Sequence, residues 1–124
     1  MKPADYAAMV AVLAKPGEDI LDTLSPERVH LLHMAVGVAG EAGELLDAIK
    51  KHCFYNKPLD LNNVVEELGD LEFYMEGLRQ GLSLLRQEIL EYNMVKLSER
   101  YNGLRYSDQA AWERKDKTKQ GETK

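Results

Sequence analysis

Gly40-Glu-Ala-Gly-Glu-Leu-Leu-Asp-Ala-Ile-Lys50 sits inside the longest uninterrupted helical pattern of the chain. Upstream, Ser25-Pro26-Glu27 reads as an N-cap, a proline at the first helical position and an acid in the first turn. Leu31, Met34, Ala35, Val38, Ala42, Leu45, Leu46 and Ile49 then form an apolar stripe, predicting one helix to about Cys53. Asn56-Lys57-Pro58 is a loop. Asp60 or Asn62 caps the next helix, which carries Val64, Val65, Leu68, Leu71, Phe73, Met75 and Leu78. Two long helices joined by a short loop make an antiparallel hairpin, and an all-α fold follows from it.

Working outward, Pro3 opens a first helix that Pro16-Gly17 ends. Gly81 and Ser83 break the pattern after the hairpin, with Ser83 as the expected cap of a fourth helix. That helix runs to about Tyr101, buries Leu85, Ile89, Tyr92 and Leu97, and stops at Asn102-Gly103. Long strand-like alternation is missing. The expected architecture is a four-to-five-helix bundle, with residues 1–107 as one domain and 108–124 as a C-terminal extension. Residues 113–124 contain no apolar side chain and are expected to be mobile.

A chain of 124 residues supports one modest core. The uncharged run near the start, Tyr6 to Ala14, has only nine residues and follows Met-Lys-Pro-Ala-Asp, so neither a signal peptide nor a membrane span is expected there. A single cysteine, Cys53, rules out an internal disulfide and fits a reducing, cytoplasmic setting. Without catalytic neighbours in sequence, Cys53 reads as a small buried hydrophobe. The net charge of −5 argues against a nucleic-acid polymer as partner. That surplus is local: residues 41–76 hold nine acids and three lysines, while the rest of the chain sums to +1.

Two acid pairs dominate this segment. Glu41-Ala-Gly-Glu44 and Glu67-Leu-Gly-Asp70 each place two carboxylates on one helix face, about 5–6 Å apart. Gly37, Gly40 and Gly43 flank the first pair at about 1 kcal/mol each relative to alanine. Gly37 and Gly40 lie one turn before Glu41 and Glu44 and are expected to clear space above them. In an antiparallel hairpin turning at residues 55–56, Glu41 faces Asp70 and Glu44 faces Glu67. Four carboxylates at one height cannot all stay ionised in a dry groove. A hard divalent cation, Mg²⁺ or Mn²⁺, resolves the conflict. The bland alternative is four solvated acids beside glycine-mediated packing.

With these residues in place, the segment 40–50 and Glu66-Glu-Leu-Gly-Asp-Leu71 resemble the MazG-type all-α nucleoside triphosphate pyrophosphohydrolases. The family pattern is E-x-x-E, a helical hairpin, then E-x-x-D. Asn93-Met-Val-Lys96-Leu-Ser-Glu-Arg100-Tyr101 is similar to the family's N-x-x-K-L-x-x-R-Y segment, and Ala111-x-x-Arg114-x-Asp116 resembles a tail element of phage-type members. The resemblance implies cleavage of a (d)NTP between the α- and β-phosphates, with a lean toward purine dNTPs. It implies Mg²⁺ held by Glu41, Glu44, Glu67 and Asp70, with one carboxylate as general base toward water.

Asp47, one i+3 step further, is a candidate for a third metal or a water contact, and Glu66 stands behind Asp70. Asn93, Lys96 and Arg100 form a basic, hydrogen-bonding stripe suited to phosphate, with Tyr101 beside it. Lys50 either steers phosphate or offsets the helix dipole. His30, with Met34, is a candidate contact to the base, against a structural role. His30 and His33 at i, i+3 are weak evidence for zinc. Trp112 either stacks on a base or covers a subunit contact. The apolar surplus of Phe54, Tyr55, Phe73, Tyr74, Met75 and Leu78 predicts a homodimer or homotetramer, as is typical of the family. The alternative function is a non-catalytic helical interaction or regulatory dimer.

Overall fold

The computed structural model describes residues 2–118, and among these there are helices and no strands. Helix α1 spans Pro3–Leu13, α2 Gly17–Thr23, α3 Pro26–Tyr55, α4 Leu61–Gly81, α5 Arg86–Arg100, α6 Asp108–Glu113 and α7 Lys115–Thr118. A 3-10 turn, Asn102–Leu104, joins α5 to the last two. Helix α2 was not expected from sequence. It is a short, exposed element between Pro16 and Leu24 whose first turn carries Glu18 and Asp19.

The boundaries of α3 and α4 follow local chemistry. Ser25 Oγ accepts the Arg28 backbone N–H at 3.2 Å, and Pro26 fixes the first helical φ. Asn56 ends α3 in the left-handed region, φ 51°, a conformation asparagine tolerates well. His52 Nδ1–H donates to the Lys57 carbonyl at 2.7 Å, which ties the loop to the helix end. Of the two cap candidates for α4, Asp60 takes the role, accepting from Asn63 N at 3.1 Å. Ser83 does not cap α5. It lies at φ 54° in the turn, and the backbone N–H of Leu85 instead donates to Glu88 at 3.0 Å.

The hairpin packs in one register. A Cβ added to Gly37 would run into the Tyr74 ring, and one on Gly77 into Met34 Sδ. At Gly81 it would meet His30 Cδ2 at 2.8 Å. Each pair is equally distant from the 55–56 turn, so the three contacts repeat the pairing expected for Glu41 with Asp70. Gly37 therefore serves close helix packing rather than clearing room above the acids, whereas Gly40 and Gly43 do face open space. His33 adds an edge contact to Tyr74 at 6.2 Å.

Outside this seam the single chain buries little. Met34 and Ala48 are its buried apolar residues, at 7% and 8% exposure. Leu85, Ile89 and Tyr92, expected inside, are exposed, because α5 makes no extended contact with α3 or α4. Cys53 is exposed too: α3 is covered on one side only, and Cys53 lies off that side. The chain's accessible surface is 10507 Å², against about 6,700 Å² for a compact chain of this size.

The C-terminal extension is more ordered than its composition suggests. Ser107 Oγ caps α6 by accepting Ala110 N at 3.1 Å. Helix α7 then docks on α5 through Asp116, 1% exposed, so residues 113–118 are structured rather than mobile. A buried ion pair replaces the apolar anchor that composition lacks. Residues 119–124 of the expected tail lie outside the described residues.

Candidate functional site

Helices α3 and α4 bring Glu41, Glu67 and Asp70 together. One carboxylate oxygen from each lies within 4.8 Å of the others, so a single hard cation is in reach of all three. Glu41 and Glu67 are half-buried, while Asp70 is exposed. Partial desolvation pushes the Glu67 carboxyl above its ordinary range. A hydrogen bond shared with Glu41, then the charges of Glu41, Glu44 and Glu66, push it the same way. The crowding of like charges makes ionisation of Glu67 costly, and a bound cation would relieve it. Glu44 is exposed and lies outside the triad, but its charge is felt at Glu67.

Asp47 is committed elsewhere. Its carboxylate pairs with Lys51 Nζ at 2.8 Å, and that hydrogen bond holds it below the usual range. Lys50 extends its ammonium over the Tyr55 ring, 5.8 Å from the centroid. Two to three turns toward the start of α3, His30 Nε2–H donates to the Gly77 carbonyl at 3.0 Å, a bond across the hairpin. His30 thus ties the two helices together, and with Met34, Phe73, Glu76, Gly77 and Gln80 it also lines a cavity of about 430 Å³. Phe73 stands one turn from Asp70, which puts this apolar hollow next to the acids.

The basic stripe is on α5. Lys96 and Arg100 are half-buried one turn apart, with Asn93 exposed one turn earlier. Within one chain these residues are not brought to the triad, because α5 stays off the hairpin. Arg100 is already engaged: Nε and Nη2 donate to Asp116 Oδ1 and Oδ2 at 2.8 and 3.0 Å. Tyr101, next to Arg100 in sequence, packs on Tyr106, with ring centroids 5.7 Å apart. Trp112 is 92% exposed.

Sequence reasoning missed the Arg100–Asp116 pair. A lone acid between Lys115 and Lys117 in an apolar-free stretch looks solvated, and only the motif-like Arg114-x-Asp116 spacing pointed to it. Compared with family models, with curated proteins and with solved structures, the chain matches none.

Proposed function

We propose that the chain is a divalent-cation-dependent nucleoside triphosphate pyrophosphohydrolase of the MazG type, releasing a (d)NMP and pyrophosphate. The observation that carries this reading is the meeting of Glu41, Glu67 and Asp70 on facing helices, one carboxylate oxygen of each within 4.8 Å of the others. The donor set suits Mg²⁺ or Mn²⁺: three carboxylates, no sulfur and no imidazole. A bound cation there would offset negative charge on phosphate oxygens and acidify water. Glu41, Glu67 and Asp70 would hold it, with Glu44 drawn in from the next turn. Whichever of these four carboxylates did not ligate the cation would be placed to accept the proton of the attacking water. The hollow at His30, Met34 and Phe73 has the apolar character a base requires, and we assign the base there.

The phosphate end needs cations, and Asn93, Lys96 and Arg100 supply the right chemistry on the wrong side of one chain. We therefore propose a homodimer or homotetramer in which α5 of one protomer closes over the hairpin of another. The surface excess of about 3,800 Å² supports this, since an obligate interface buries on the order of 1,000–2,500 Å² per partner. The test is incubation with each of the eight (d)NTPs and Mg²⁺, reading monophosphate and pyrophosphate. No cleavage, together with no calorimetric binding of Mg²⁺ or Mn²⁺, would overturn it. In that case the wide exposed face of α5, with Tyr92, Met94 and Val95, favours a non-catalytic helical interaction module.

A further inference from the structure

Asp116 is the one buried charged residue among those described, and it grips Arg100 with both oxygens. We infer that Asp116 is a positioning residue that fixes the Arg100 guanidinium as a pre-oriented fork for the phosphates of the nucleotide. The inference rests on the pyrophosphohydrolase reading above.

The geometry separates the roles of the two partners. Asp116 is 1% exposed and meets no ligand itself, whereas the Arg100 side chain keeps 16% exposure. Arg100 borders a cavity of about 280 Å³ with Asn102, Arg105 and Ser107, and Glu99 and Glu113 also border it. A guanidinium has five N–H donors. Asp116 takes one on Nε and one on Nη2, and Tyr101 adds a further contact, so donors remain for an anion.

A free arginine must surrender its rotamer freedom when it clamps phosphate. One already held by a buried carboxylate has surrendered it on folding. Asp116 is the buried residue through which α7 meets α5, while Lys115 and Lys117 are exposed. The pair is also neutral as a unit. Arg100 then contributes direction to the phosphate site, and Lys96, four residues earlier, contributes charge.

The test uses the full-length chain, steady-state kinetics on its best dNTP, and thermal unfolding. Asp116→Asn keeps the shape and loses the charge. We expect its KM to rise about tenfold or more, with kcat changed less than about threefold. Arg100→Lys should show the same split, and the double variant should lose little beyond either single change, as coupled residues do. Lys96→Ala should instead make KM less dependent on salt. An Asp116→Asn variant with wild-type KM and a lowered melting temperature would reduce Asp116 to a structural strut and overturn the inference. A lowered KM would make Asp116 a competitor of the ligand, which also overturns it. Where Asp116→Asn fails to fold, Asp116→Glu serves, since it keeps the charge but shifts the carboxylate: a raised KM supports the inference and an unchanged one sinks it. A wild-type chain inert toward every nucleotide would fail at the earlier step, as a failure of the catalytic reading itself.

Discussion

Glu67 and Glu41 face each other across the α3–α4 hairpin with carboxylate oxygens within 4.8 Å, and partial desolvation, then the neighbouring acids, push the Glu67 carboxyl above its ordinary range. The consequence is a stability that depends on pH with a defined sign. Folded Glu67 holds a proton that the unfolded chain has released above the ordinary value of 4.5. Stability of the metal-free protein therefore falls as pH rises from 4.5 through the raised value, then levels off. Cations bind the ionised acids, so the Mg²⁺-induced rise in melting temperature should grow across that same window. Calorimetry between about pH 5 and about pH 7.5, with and without Mg²⁺, measures both slopes. A Mg²⁺ effect indifferent to pH would remove Glu67 from the site.

Substituting single acids should separate function from folding. Asp70→Asn and Glu44→Gln are expected to lower turnover by at least about a hundredfold. Both should melt no lower than wild type without metal, and Asp70→Asn higher, because repulsion within the triad is relieved. Retained turnover in either variant would mean that the cation is held elsewhere.

The two glycines before the acids should respond oppositely to alanine. Gly37→Ala drives a methyl group into the Tyr74 ring and should cost about 1–3 kcal/mol. Gly40→Ala meets open space and should gain up to about 1 kcal/mol of helix propensity. Urea unfolding of both variants gives the comparison. If Gly40→Ala is stable but inactive, the open space at Gly40 is used by ligand or by a second protomer.

Assembly is the fourth expectation. Sedimentation at micromolar concentration should show a dimer or tetramer, and Val95→Glu on the exposed face of α5 should dissociate it and abolish turnover together. An active monomer would contradict the shared groove.

How much was legible in the sequence depends on the range of the interaction. The α3–α4 hairpin was readable because Ser25-Pro26, Asn56-Lys57-Pro58 and Asp60 act on their own neighbours. Its register was readable because an antiparallel pair has a single turn to pivot on, and Glu41 met Asp70 as that pivot requires, whereas Glu44 stayed outside the cluster that Glu67 joined. Gly37 was misjudged, since a glycine's neighbour is set by the facing helix, here Tyr74. Asp116 was misjudged for a similar reason: its partner Arg100 lies sixteen residues back, and burial by an ion pair leaves no apolar signature. Leu85 and Ile89 were misjudged because the apolar pattern of α5 does not say what covers it, and α5 makes no extended contact with the hairpin.

The close approaches at Gly37, Gly77 and Gly81 also bear on how this sequence can change length. One residue inserted between Asp70 and Phe73 would turn Glu67 and Asp70 by about 100° while Gly77 and Gly81 stayed clamped to α3. The acids would then face solvent instead of Glu41. A residue inserted at Lys57–Leu59 disturbs none of these contacts. Length variation compatible with the site is therefore confined to the loop, and the stretch from Glu67 to Gly81 behaves as a ruler whose graduations are glycines.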